Sequence, residues 1–404
     1  MSRFTLKARY IFPVDAPPLT DGVITIDGER IAAVSHQSDG QQPQDLGNVA
    51  IVPGLVNAHT HLEFSELAAP LGQSGTPLVD WIREVISHRG QRNSPSISAI
   101  ERGLLESAQS GVTTIGEIAT GRIAGYQVDA SHRMATLLFE AIGFSRARSV
   151  SALDAILEKL DEAADVRLGI SPHAPYTVHP KLLVALAELS TERRVPLAMH
   201  LAESRDELRL LAHGDGPFRD LLEERSMWDE SAIPHGSRPL DYLRQLDRGH
   251  RALVVHGNYL DDEELEYLAA RADRMSLVYC PRTHSYFAHE PYPLARALAL
   301  GVNVAVGTDS RASNPDLNMW NELRYLGQQH VDVPPAEVLR LGTLGGAQAL
   351  GVASEVGSLT PGKLANLAIV ALSDGDERDP YRLLFDGGSR VERVVFRGDE
   401  VGLA

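Results

Sequence analysis

Apolar residues follow two rhythms along this chain. Between about residues 55 and 350, short and nearly continuous apolar runs alternate with longer stretches in which apolar positions recur at helical spacing, the order expected of repeated βα units around a parallel sheet. Eight runs stand out: GLVNAHTH (54–61), GVTTIGEI (111–118), RMATLLFEA (133–141), VRLGISPH (166–173), VPLAMHLAE (195–203), RALVVHGN (251–258), MSLVYCPR (275–282) and VNVAVGTDS (302–310). Eight is the number that closes a (β/α)8 barrel, so an α/β fold with a TIM barrel over residues 55–354 is predicted. Both ends of the chain read differently. FTLKARYIF, VITIDGERIAAV and VAIVPG before the barrel, and LANLAIVAL and RVERVVFRGDEV after it, are short β segments with turn signals such as Asp27-Gly28 between them. Residues 1–54 and 355–404 are therefore expected to meet in one small β-sandwich domain.

Helix boundaries are legible in places. Pro180 sits at the first position of PKLLVALAELSTERR, and Gly301 ends YPLARALALG where a helix stop is expected. The connection from Ser204 to Gly249 is broken by GDGP and HGSRP, which predicts a helix pair and a loop over the barrel mouth. GSLTPGK (357–363) begins like a phosphate-binding loop, but Leu364 stands where a hydroxyl is required and Pro361 interrupts it, so it reads as a turn.

Length and charge narrow the classes. The 404 residues suffice for a barrel and a small companion, and 38 basic against 54 acidic residues give a net charge of 38 − 54 = −16. Without a basic cluster that balance argues against a nucleic acid polymer as partner. No apolar run approaches the roughly 18 residues of a membrane span. Cys280 is the single cysteine, which points to a reducing, cytoplasmic setting. A barrel of this size is compatible with a homodimer.

The chemistry lies in what ends the runs. His59 and His61 close the first, His173 the fourth, His200 the fifth, His256 the sixth and Asp309 the eighth. In a barrel these C-terminal strand ends surround one mouth. An H-x-H pair on a strand places both imidazoles on one face. Taken singly, each residue has an ordinary account, a satisfied core histidine or a helix N-cap. Together, three nitrogens from His59, His61 and His200 with one oxygen from Asp309 suit a borderline cation such as Zn²⁺ and leave room for water.

VPGLVNAHTHLEFS, SPHAPYT, MHLAES, VVHGNYL and GTDSRASNPDLNMWNE resemble, in order and spacing, the amidohydrolase superfamily, and within it the aminohydrolase and chlorohydrolase branch. That branch contains cytosine, guanine, S-adenosylhomocysteine and aminofutalosine deaminases and the triazine hydrolases. The resemblance covers nearly the whole chain, including the flanking β segments. It implies that His59, His61, His200 and Asp309 hold one divalent metal ion, zinc or iron, and that Glu203, His256 and Asp309 carry the chemistry. A bridging lysine of two-metal relatives has no counterpart in VRLGISPHAP, so one metal is expected. The implied reaction is metal-dependent hydrolytic deamination of a small aminated heterocycle, with an adenine-type nucleoside of the aminofutalosine, methylthioadenosine or S-adenosylhomocysteine class as the preferred substrate. The alternative is removal of chloride or alkylamine from a triazine-like ring, or opening of a cyclic amide. His173 and Trp81 are expected at the substrate. The chain departs from many relatives after the seventh run, where Cys280-Pro281-Arg282-Thr283-His284 replaces Cys-Pro-x-Ser-Asn. Arg282, His284 and, after the third run, Arg146 and Arg148 are thereby candidates for a substrate carboxylate or phosphate. Asn366, where an Asp is usual, is expected to bear on packing alone.

Overall fold

The computed structural model describes residues 3–37, 42–90, 96–121, 126, 134–162, 166–374 and 379–402. Strands β1 (Phe4–Ile11), β2 (Leu19–Asp27), β3 (Arg30–Ser35), β4 (Gln44–Asp45) and β5 (Val49–Pro53) precede the barrel. The barrel strands are β6 (Leu55–Thr60), β7 (Val112–Ala119), β8 (Met134–Ala141), β9 (Arg167–Pro172), β10 (Pro196–Leu201), β11 (Arg251–His256), β12 (Met275–Tyr279) and β13 (Asn303–Val306). After them come β14 (Leu367–Ala371), β15 (Arg390–Phe396) and β16 (Asp399–Val401).

Each of the eight apolar runs supplies one barrel strand, and the strands pair in parallel in chain order from β6 to β13. The strands are apolar almost throughout because both faces are covered. Along β11, Leu253 and Val255 join the interior cluster with Val56, Ala58 and Ala305, while Ala252 and Val254 pack outward beneath the helices. The ring closes where β13 returns to β6. Asp309 N–H donates to the His59 carbonyl at 3.1 Å, and Asn57 is bonded to both the backbone and the hydroxyl of Thr308. Gly307 is required there, since a Cβ would lie 2.8 Å from the His59 carbonyl oxygen.

The terminal segments form a separate eight-stranded sheet in the order β16-β15-β14-β5-β1-β2-β3, with β4 beside β1. It alternates as a two-faced sheet should. Ile51, Leu367 and Ile369 fill its own core with Ile24 and Ile26, whereas Ala50, Val52, Ala368 and Val370 face the barrel's outer core. GSLTPGK is a turn whose Lys363 ammonium donates to Val356 O and the Ser358 hydroxyl. Asn366 is buried between the domains' strands, accepting from Arg397 N–H, away from the barrel mouth.

Helix Pro180–Arg193 starts at Pro180, and helix Leu294–Leu300 stops at Gly301 with φ of 87°. The Ser204–Gly249 connection carries three helices, Arg205–His213, Pro217–Glu224 and Pro239–Leu246, one more than expected. None of the described helices is long and apolar enough to cross a membrane.

Candidate active site

Six side chains from five strand ends converge at the mouth. His59 and His61 come from the end of β6, His173 follows β9, His200 is the penultimate residue of β10, His256 ends β11, and Asp309 follows β13. Ring centroids of His59 lie 4.9 Å from His61, 5.0 Å from His200 and 5.9 Å from His256. Asp309 Oδ1 stands 3.6 Å from Nε2 of both His59 and His61. Ligand atoms of His59, His61 and Asp309, and separately of His59, His200 and His256, all fall within 4.8 Å of one another.

The strands do not deliver these groups by alternation alone. Val255 points into the barrel, so the next residue would point out with Val254. His256 instead adopts φ of +67°, a left-handed conformation uncommon outside glycine, and its ring comes back to 5.4 Å from that of His200. Tyr292 donates its hydroxyl to the His256 carbonyl at 2.8 Å and holds this bend. Asp309 is bent likewise, at φ of +56°, with its carbonyl accepting from the Thr60 hydroxyl. Strain of this kind persists where surrounding contacts over-determine it, and it clusters at functional sites.

The donor set fits a divalent cation. Both ring nitrogens of His59 and Nδ1 of His61 are buried without a hydrogen-bond partner among the described residues. Buried polar atoms are otherwise almost always paired. His200 Nδ1–H donates to the His173 carbonyl at 2.9 Å, which fixes the tautomer and turns the Nε2 lone pair toward the cluster. Ser313 donates to Asp309 Oδ2 at 3.0 Å and leaves Oδ1 facing the histidines. Burial holds His61, His200 and His256 well below the usual imidazole range, so they are neutral, as ligands must be. Burial by itself would raise the Asp309 carboxyl, but the imidazoles of His59, His61 and His256 that face it hold it far below the usual range.

Glu203 stands beside this pole with Oε1 3.4 Å from His256 Nε2. Burial, with Asp309 and Glu207 nearby, pushes its carboxyl well above the usual value, which favours its protonated form. Its backbone is pinned on both sides, N–H to Glu207 Oε2 at 2.8 Å and carbonyl from Asn258 Nδ2 at 2.9 Å. Glu207 was not singled out from the sequence, although Ser204-x-x-Glu207 is a capping-box signature. Ser204 does accept from Glu207 N–H, but the Glu207 carboxylate reaches back to Ala202 and Glu203. Burial raises it to about 7.

A cavity of about 270 Å³ opens on His61, His200, Glu203, His256 and Asp309. Trp81 and His173 line it, with Leu221, Leu222 and Met227 from the Ser204–Gly249 connection. Trp81 donates its indole N–H to Ala312 O, and burial drives His173 down to about 3. Arg282, His284 and Arg148 are not among the lining residues. Arg282 is buried in ion pairs with Glu322 and Asp316, His284 packs on Tyr279 and Tyr292, and Arg146 and Arg148 are exposed on helix Arg146–Asp161. Two lining residues that sequence reasoning passed over are Glu140 and Arg89.

Comparisons with known proteins agree with this architecture. Over 98% of its length the chain is 31% identical to 5-methylthioadenosine/S-adenosylhomocysteine deaminase of Moorella thermoacetica, covering 94% of that protein. In structure it is similar to a zinc-bound adenosine deaminase of Xanthomonas campestris, with a TM-score of 0.82 and 24% identity over 99% of this chain and 92% of that one. It is similar also to Helicobacter pylori aminofutalosine deaminase, with a TM-score of 0.85 and 22% identity over 99% and 100% of the two chains. Residues 50–401 match the model of the amidohydrolase family, and with the strand-end histidines and aspartate in place the chain belongs to that family.

Proposed function

We propose that the protein is a hydrolytic deaminase that releases ammonia from the amino-bearing ring carbon of an adenine-type nucleoside, with one divalent cation, zinc, at the strand-end cluster. The observation that carries this reading is a buried Glu203, 3.4 Å from His256, set between the His59/His61/His200/Asp309 donor set and a largely apolar cavity. The related Moorella protein bears the name of an adenine-nucleoside deaminase, which supports the same substrate class.

Held by His59, His61, His200 and Asp309, the cation would acidify a water and so supply the nucleophile at neutral pH. Asp309 accepts the proton that the water gives up. Glu203 donates its proton to the ring nitrogen next to the carbon under attack, which makes that carbon electrophilic. His256, neutral and 3.4 Å from Glu203, hydrogen-bonds the incoming oxygen as the carbon becomes tetrahedral. Asp309 then passes its proton to the amino nitrogen, which leaves as ammonia. The hydroxyl proton returns to Glu203 as the carbonyl forms, so the residues end as they began. The apolar walls exclude bulk water and cover the faces of the base.

The test is ammonia release by zinc-loaded protein from methylthioadenosine, S-adenosylhomocysteine and aminofutalosine, with free cytosine, free guanine and a chlorinated triazine in parallel. Ammonia from one or more of the three nucleosides is expected. Ammonia from the free bases alone, or halide from the triazine alone, would overturn the reading.

A further inference from the structure

Glu140 is the penultimate residue of β8, and the proposed chemistry does not use it. Its side chain is only 6% exposed, lines the cavity of the active site, and keeps Oε1 without a hydrogen-bond partner among the described residues. His173 Nε2 is 3.9 Å from that oxygen, too far to bond. A buried carboxylate in this state forfeits hydrogen bonds that water would provide, and a ligand carrying O–H or N–H groups would restore them.

Its neighbours show what kind of ligand fits. Arg89 lines the same cavity, is tied to Glu63 at 2.5 Å, and attracts Glu140 electrostatically, as does Lys159. Burial pushes the Glu140 carboxyl up, and the nearby positive charge opposes that rise and offsets the need for a cationic ligand. Neutral donors are what remain. Position points the same way. His173 separates Glu140 from the donor set, its ring 5.1 Å from that of His200, so Glu140 stands one imidazole farther along the cavity than the reacting carbon. In a purine nucleoside bound amino end first, the sugar lies on that far side, and its two vicinal hydroxyls match the two oxygens of one carboxylate.

Resting on the deaminase reading, we propose that Glu140 is the residue that reads the sugar: its carboxylate accepts hydrogen bonds from both hydroxyls of a ribose cis-diol, and the enzyme thereby selects ribonucleosides over deoxynucleosides and free bases.

The experiment compares kcat and KM of wild type and Glu140→Gln on methylthioadenosine, its 2′-deoxy and 3′-deoxy counterparts, and adenine, with zinc content measured for each protein. In wild type, loss of either hydroxyl is expected to lower kcat/KM by about tenfold to a hundredfold, chiefly through KM, the range for a hydrogen bond to a charged group. Glu140→Gln should lose a similar factor on the ribonucleoside alone, so that discrimination collapses with zinc content unchanged. Should that variant be insoluble, Glu140→Asp, which withdraws the carboxylate by one methylene, is expected to show the same pattern more weakly. Equal use of ribo- and deoxynucleosides by wild type, with ammonia still released, would overturn the sugar role and leave the deaminase reading standing. A uniform loss on all substrates in the variant would mark Glu140 as structural and also overturn it. No ammonia from any adenine nucleoside would sink the deaminase reading itself, and this proposal with it.

Discussion

Replacing Glu203 by Gln removes one exchangeable proton and almost nothing else. The backbone at this position is clamped by Glu207 Oε2 at 2.8 Å and by Asn258 Nδ2 at 2.9 Å, and neither bond involves the side chain that changes. Gln has the same shape, and its amide can still hydrogen-bond His256 across the 3.4 Å gap. What it cannot do is deliver a proton to the ring nitrogen and take one back. General acid–base catalysis by a positioned side chain contributes typically 10²–10⁴ in rate, so kcat is expected to fall by about that factor, or roughly 3–5 kcal/mol of barrier. KM should change by less than about tenfold, because ground-state contacts are kept. Steady-state ammonia release measures kcat, and metal analysis of the same sample checks the donor set, which does not include Glu203. A variant with normal metal content and a kcat within about threefold of wild type would refute the assigned role.

Two further substitutions probe how the site is held. Gly307→Ala would put a Cβ 2.8 Å from His59 O and 2.9 Å from His59 Cβ, where the neighbour is largely backbone and the barrel closes. Denaturant unfolding should show a loss of about 1–3 kcal/mol, and competition with a chelator should show weaker metal binding. Glu207 is raised from 4.5 to about 7, chiefly by burial. Its folded state therefore holds the proton more tightly than the unfolded state, and the stability this contributes is present below about pH 4.5 and lost as pH rises toward 7. Glu207→Gln should remove that slope, up to about 3 kcal/mol, when metal-free variant and wild type are compared by denaturant unfolding across pH 4.5–7. Parallel pH curves for the two proteins would contradict this.

Much of the fold is legible because buried parallel strands must be apolar on both faces, and eight such runs alternating with helical spacing leave few other architectures. The proposed metal donors are legible for a related reason: a histidine or aspartate that ends an apolar run has a defined place once the runs are strands. Position along a strand does not reveal direction, however. Alternation would send His256 outward, and the positive φ that returns it to the site has no mark in RALVVHGN. Glu140 escapes for the opposite reason. A lone acid near the end of RMATLLFEA carries no period or motif, and its meaning depends on Arg89 and His173, brought beside it only by the fold. Arg282 shows the limit most clearly. Its departure from relatives suggests a substrate contact, yet its guanidinium is taken by Glu322 and Asp316, acids 40 and 34 residues away whose pairing nothing local announces.

Ammonia release from methylthioadenosine by chelator-stripped protein, followed as zinc is returned stepwise, tests the central claim most directly. No release before addition and a linear rise that levels at one equivalent per chain is the predicted result. Full activity in the stripped protein, or a rise that levels only at two equivalents, would contradict a single cation held by His59, His61, His200 and Asp309.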